Sequence, residues 1–569
     1  MAISNLKFLV AGIFLLLLRI WLARISGVFY LPDELYDDLL LMKYADFGEY
    51  FSARNLPFNE LLLKNMGFPV LLNLVGISGL QYTDVLSLFW FLAAISTVEL
   101  FAKSTGVTNK IIWLAVYIFV LFAPAAFDNW CGTRLYRNAV LTPLYFIVLN
   151  MAAILFVHHF TESKFDVKKF LPFQIFLGLI FTLTFYIKED GIWLLAVLVA
   201  VLIPCLIKAL LQNNFSIRKQ LIHIALLLLP LIIFGAGTTF YKLVNYKYFG
   251  VYEINTRTEG ETGKFVKLVY KISSNERTGK IWAPHDAVQQ AINASETLKN
   301  NHALTESILH SKWCGGDMAV NPVSGDFLGW VIMTAAKDSG AFNSLAEQEK
   351  FFRQVNQEIE TAFENGTLQK DSKFQLVSSV GGRSLKEILK LSKLMAKEYF
   401  IHVTLYHYQP GAYPNSVSQP QNEEQAISIA TASRLTNIDL NKTNEMAGQA
   451  TNFLNVMFVI YSIVQTVLFV MAIIGLGYNI KKIWRRQIKL EIKPLLPLLI
   501  AAGFLLLSLA YSLALAWFCE FISPSILREA ALKFYGVGLI PLLASFEIFG
   551  TYLFYADYKS IKVFNFKRR

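Results

Sequence analysis

Apolar residues along this 569-residue chain gather into blocks instead of recurring at the spacing of a soluble core helix. The blocks run over 8–22, 84–102, 110–128, 138–158, 171–187, 191–208, 220–240, 452–477, 495–518 and 531–556. Most approach the roughly 20 residues an α-helix needs to cross a hydrocarbon core about 30 Å thick. The pattern predicts an all-α polytopic membrane protein with about ten transmembrane helices. The first block, Phe8 to Leu22, follows a weakly basic start and lacks a small-residue cleavage site, which predicts a retained span, not a signal peptide. The segment from Gly67 to Leu80 is too short and too interrupted to count as a span.

Polar positions divide the chain into three units. Residues 1–240 form an N-terminal transmembrane module with about seven spans and a long loop at 25–83, and residues 452–569 form a C-terminal module with about three. Between them, residues 241–451 have ordinary soluble composition. Their clearest signal is Ser344-Leu345-Ala346-Glu347, a capping box opening the amphipathic run from Leu345 to Phe363, with Asn365-Gly366 as its stop. This predicts a mostly helical inserted domain, α or α+β, with strands near 374–380 and 400–408 where β-branched and aromatic residues cluster.

Composition agrees: 55% of residues are hydrophobic and only 16% charged, against roughly 25% charged in soluble chains. The net charge of +11 does not indicate nucleic acid, because many basic residues sit in short loops between apolar blocks and no basic platform interleaved with aromatics is present. Such loops set orientation. Lys481, Lys482, Arg485, Arg486 and Lys489 precede one span, and Lys567, Arg568 and Arg569 end the chain. With Lys208/Arg218/Lys219, Lys164/Lys168/Lys169 and Lys103/Lys110 they place both termini in the cytoplasm, leaving 25–83, 129–137, 188–190, 241–451 and 519–530 outside. Cys131, Cys205, Cys314 and Cys519 show no paired spacing, which argues against a zinc site or disulfide framework; Cys131 and Cys519 could pair only if their loops meet.

The outer loops gather the suggestive chemistry. Asp33, Glu34, Asp37 and Asp38 stand within six residues just after the first span. Crowded acids repel one another, which raises some pKa values and favours a proton acceptor or a metal ligand. The bland alternative is a solvated interfacial loop, with Asp37 and Asp38 simply stabilising the N-terminus of a short helix. Arg134 and Arg137 lie at another outer junction, Lys188-Glu189-Asp190 fills a short turn between two spans, and Arg528 stands with Glu529 and Lys533 before the last span. Charges at such depth face a cavity or a partner. A guanidinium suits a lipid phosphate, although interfacial snorkelling explains single basic residues equally well. No nucleotide-binding loop, HExxH or GxSxG motif is present.

The acidic loop with Pro32-Asp33-Glu34 and Asp37-Asp38, followed by spans and an inserted domain, resembles the GT-C superfamily of membrane glycosyltransferases. Lys64-Asn65-Met66-Gly67-Phe68-Pro69 looks like the Lys-x-Pro-x-Tyr-Pro-like segment of the protein mannosyltransferase and aminoarabinose transferase branch. Tyr36-Asp37-Asp38, Lys188-Glu189-Asp190-Gly191 and Gly329-Trp330 are also similar to a group of bacterial membrane proteins that carries no activity to transfer. The GT-C resemblance implies an inverting sugar transfer from a polyprenyl-phosphate donor to a cell-envelope glycan, glycolipid or protein, at the outer face of the bacterial plasma membrane. It implies Asp37 as the base with Asp38 as partner, Asp33 and Glu34 in reserve, and Arg137, Arg134, Lys188 and Arg528 as donor-phosphate ligands. Glu189, Asp190 and Lys64 would line the cavity. A divalent metal, Mg2+ or Mn2+, is compatible with the resemblance and not required by it. A polyprenyl-linked glycan flippase, another transporter or a non-catalytic envelope-assembly subunit would share the spans and charges; inverted repeats would favour transport, and none is evident.

Overall fold

The computed structural model describes residues 6–52, 57–161, 166–211, 216–411, 419–442, 446–485 and 491–566. Of the orientation-setting residues, Lys164, Arg486, Lys489, Lys567, Arg568 and Arg569 lie outside the described residues.

The chain is an all-α integral membrane protein. In lipid every backbone N–H and C=O must be paired within the segment, so long apolar blocks become helices. Among the described residues nine helices are long and apolar enough to cross a membrane: Phe8–Ser26, Tyr82–Thr105, Arg137–Thr161, Val167–Ile187, Ile192–Leu211, Ile217–Phe249, Ala447–Trp484, Ile492–Cys519 and Ser525–Ala556. Arg137–Thr161 is buried along most of its length and forms the centre of the bundle. Ala447–Trp484 is its opposite: Val456, Val459, Ile460, Ile463, Val467, Val470 and Ile474 all point away from the protein, a surface that suits hydrocarbon and not water.

The block at 110–128 behaves differently. Its helix, Lys110–Leu121, stops after 12 residues, and a 3₁₀ turn at Pro124–Ala126 follows. Pro124 lacks an N–H and drives Ala123 into extended backbone (ψ 132°). Twelve helical residues rise only about 18 Å. Ile217–Phe249 and Ala447–Trp484, by contrast, run to 33 and 38 residues, beyond the thickness of a hydrocarbon core, and enter and leave the inserted segment as continuous helix.

Within that segment the helix Leu345–Glu364 forms where its periodicity predicts. Ser344 accepts from the Glu347 N–H at 3.2 Å, while the Glu347 carboxylate turns back to the N–H of Asn343 instead of that of Ser344. The expected strands do not form. Residues 374–380 are turns with a single bridge between Phe374 and Arg383. At 400–408 the first four residues complete the helix Ser392–Val403, and Leu405 and His407 then take positive φ. Packing of buried Glu398, Ile401 and His402 against the helices Ile492–Cys519 and Ser525–Tyr535 overrides local β-propensity there. The strands observed are the short antiparallel pair Ile281–Ala283 and Val323–Ser324.

The three largest apolar clusters among the described residues hold the molecule. The largest fills the helix bundle. A second packs Phe265, Trp282, Val331 and Phe352 of the inserted segment around Trp517, in the last turn of the bundle helix Ile492–Cys519, and Phe521 just beyond it. A third joins Tyr44, Tyr50, Leu61 and Leu62 of the first long loop to Phe249, Val251, Met333 and Leu345. All four cysteines are free and buried, so Cys131 and Cys519 do not pair.

Candidate functional site

Three turns at one end of the bundle converge with the inserted segment. After the first span, Phe29 pairs with the strand-like backbone at Arg134, giving N–H to the Thr133 carbonyl and accepting from Leu135. Asp128 shapes the turn before Arg134: its Oδ1 accepts from the N–H groups of Trp130 and Cys131, and its Oδ2 takes the Lys533 ammonium at 3.0 Å. The helix Tyr36–Ala45 then starts beside this turn with Asp37 and Asp38 in its first turn, where the helix dipole favours carboxylates.

The two aspartates have different partners. Asp38 is buried and grips Arg134 with both oxygens, Nε to Oδ2 at 3.2 Å and Nη2 to Oδ1 at 2.5 Å. Trp130, Tyr136 and Phe534 surround the Arg134 guanidinium, and its side chain is buried. Burial pushes the Asp38 carboxyl up to about 6 against the opposing pull of Arg134. Asp37 is the partly open one, with 32% of its side chain exposed. Its Oδ2 accepts from Lys64 Nζ at 3.0 Å and Tyr136 Oη at 3.1 Å, with Arg137 at 3.9 Å. Burial works to raise the Asp37 carboxyl, but Lys64, Arg137 and Arg257 outweigh it and hold the group below the usual carboxylate range.

Arg137 opens its helix and gives Nη1 to both Glu189 oxygens at 2.8 Å, while Nη2 donates to Tyr136 Oη at 2.8 Å. Glu189 also accepts from the Asn65 N–H at 3.0 Å. Gly67 makes this approach geometrically accessible: a Cβ there would sit 2.3 Å from the Tyr186 backbone, so only glycine lets the loop lie on the turn that carries Glu189. Burial lowers the Lys64 ammonium to about 8 despite the opposing pull of Asp37.

The inserted segment supplies the remaining wall. Asn255 donates to Asn65 and Thr256 to the Leu62 carbonyl, which carries Arg257 to the cluster. Arg257 makes only long contacts, 3.9 Å to Glu189 and 3.4 Å to Asp326, and its Nε has no hydrogen bond. Charge-assisted bonds that are well made run about 2.7–2.9 Å, so Arg257 keeps donors to spare. Trp330 lies beneath both cations, 5.3 Å from Lys64 and 5.6 Å from Arg257. Four carboxylates (Asp37, Asp38, Glu189, Asp326) thus face four cations (Lys64, Arg134, Arg137, Arg257).

Of the residues singled out in the sequence, Asp37, Asp38, Lys64, Arg134, Arg137 and Glu189 meet here. Lys188 and Asp190 pair with each other at 3.3 Å, with Lys188 over the Tyr535 ring. Asp33 and Glu34 stay on the preceding turn, Glu34 exposed, and contribute none of these contacts. Arg528 donates to the Ile522 carbonyl and is not among the cluster's partners. Tyr136, Arg257 and Asp326 were not foreseen. Tyr136 lies between two arginines already singled out, and Arg257 is the first arginine after the seventh apolar block; neither position is a motif. Among the described residues, no group of three His, Cys, Asp or Glu side chains is arranged to hold a metal ion. Compared with known proteins, the chain matches no family model, no curated protein and no solved structure.

Proposed function

We propose that the chain is a membrane glycosyltransferase that moves a sugar from a polyprenyl-phosphate donor to an acceptor on the outer face of the bacterial plasma membrane. The observation that carries this reading is Asp37, the partly open carboxylate of a cluster whose other faces are Lys64, Arg137 and Arg257. Asp37 takes the proton of the acceptor hydroxyl or amine, the freed lone pair attacks the sugar C1, and the C1–O bond to phosphate breaks with inversion. Lys64 and Arg257, whose pairings are the loosest, receive the charge that develops on the leaving phosphate. Arg134, buried and gripped by both Asp38 oxygens, holds the aspartate turn in place instead of binding phosphate.

The charge balance gives the order of events. Lys64, Arg137 and Arg257 keep Asp37 weakly basic. A phosphate that draws Lys64 and Arg257 onto its own oxygens removes part of that pull, so the base strengthens as the donor binds. A divalent ion, where one is used, would be held by Asp37 together with donor oxygens, because Asp38 and Glu189 are each committed to an arginine.

A specific observation favours a second reading, transport. Glu547 is fully buried within a candidate span, with Gln465 as its polar neighbour and no cation paired to it among the described residues, a placement typical of ion or proton pathways. One experiment separates the two. In vesicles supplied with a radiolabelled polyprenyl-phosphate sugar, Asp37→Asn should lower transfer by roughly 10²–10⁴-fold with folded protein retained. Full activity in that variant removes Asp37 as the base, and movement of intact lipid-linked sugar without transfer overturns the enzyme reading.

A further inference from the structure

Beyond the charged cluster, the inserted segment carries a fixed and exposed aromatic surface. Trp313 sits in the short turn Lys312–Cys314. Its ring stacks on Phe327, 5.5 Å away at 23°, and on Trp330, 5.9 Å away at 28°. Tyr36, the residue before Asp37, meets Trp330 edge-on at 6.3 Å. Trp313 is 42% and Tyr36 45% exposed. The Trp313 ring is also tethered, because its Nε1 donates to Thr334 Oγ1 at 3.0 Å.

Large aromatic area held rigid and exposed costs solvation free energy that covering it would recover. Its surroundings say what the cover is. Asp326, next to Phe327 and paired with Arg257, and the Thr334 hydroxyl supply a polar rim to the exposed Trp313 ring. A lipid tail has no use for that rim. A pyranose ring matches both parts, with a C–H face for the indoles and hydroxyls for the carboxylate. Tyr36 and Trp330 also place such a ring directly beside Asp37 and Lys64.

We propose that Trp313 and Trp330, with Tyr36, form a stacking subsite for a sugar ring of a saccharide acceptor whose end reaches the charged cluster. The role of this saccharide as acceptor rests on the proposed glycosyl transfer; saccharide binding itself does not. It follows that the acceptor is a glycan or glycolipid carrying at least one sugar, not a bare peptide.

The test uses the full-length protein in detergent, with cellohexaose, maltohexaose, chitohexaose and mannohexaose as probes, read by tryptophan emission and by retention on the immobilised sugars. Wild type should bind at least one probe with a dissociation constant on the order of millimolar. Trp313→Ala should weaken that binding by about tenfold, while Trp313→Phe, which keeps a ring, retains most of it and controls for folding. Failure of the wild type to bind any probe at about 10 mM, or equal binding by Trp313→Ala, overturns the subsite. Wild-type binding without any sugar transfer would sink the transfer reading and leave the subsite standing. Transfer with an unchanged acceptor KM in Trp313→Ala would do the reverse.

Discussion

Two adjacent aspartates show how partners, not residue type, set chemistry. Asp38 is enclosed with Arg134 and acts as a brace; Asp37 keeps an open side and meets Lys64. Removing one member of a buried pair strands the other, so Asp38→Asn should cost about 3–5 kcal/mol. The double variant Asp38→Asn with Arg134→Met should lose less than the sum of the singles, measured by chemical denaturation in detergent. Lys64 sets a pH limit. Its ammonium titrates near 8 in the folded chain against an ordinary value of 10.5. Between those values the unfolded chain binds more protons, so this group makes stability rise with pH. Phosphate binding needs the charged form and runs the other way: kcat/KM for the donor should fall as pH rises through about 8. Lys64→Arg should move that limb upward, and a profile unaltered by this change would remove Lys64 from the phosphate site.

Elements matter here through how closely they approach. The helix Gly67–Ser78 begins against the backbone of Tyr186 and Ile187, with no room for a Cβ at its first residue. Gly67→Ala should therefore push the loop carrying Lys64 and Asn65 away from Glu189, at a cost of about 1–3 kcal/mol. Transfer should fall along with thermal stability. Gly235→Ala, where a Cβ meets nothing within 4 Å, is the matched control. If both variants behaved alike, the close approach would not be what positions the site. The same scale explains the missing strands, since the segment at 400–403 contributes Ile401 and His402 to a helix packed on two others.

At the scale of the whole molecule, the apolar stripe on Ala447–Trp484 and the buried Arg137–Thr161 describe a bundle with a lipid-facing rim and a protein-facing centre. Orientation rests on the loop charges and is open to direct measurement. Because the native cysteines are buried and free, an introduced thiol reports its own position against a quiet background. Glu306→Cys, at an exposed site of the inserted segment, should react with an impermeant maleimide added outside intact cells, and Lys169→Cys should not. The opposite pattern would invert the topology and move the charged cluster to the cytoplasmic side.

Sequence by itself determined the solvent and the class of fold. Apolar blocks of spanning length admit few structures in lipid other than helices, and that constraint is local. It also pointed to Arg134, Arg137 and Glu189 as charges stranded beside apolar flanks, where their cost needs a reason, and to Asp37 and Asp38 as crowded acids; Lys64 entered only through the family resemblance. Only the tertiary structure decided which of them pair. Asp38 met Arg134 and Arg137 met Glu189 through contacts spanning 96 and 52 residues, and no periodicity encodes such distances. Arg257, Asp326 and Trp313 sit in ordinary-looking polar sequence and become part of the site only because packing on the first long loop carries them there.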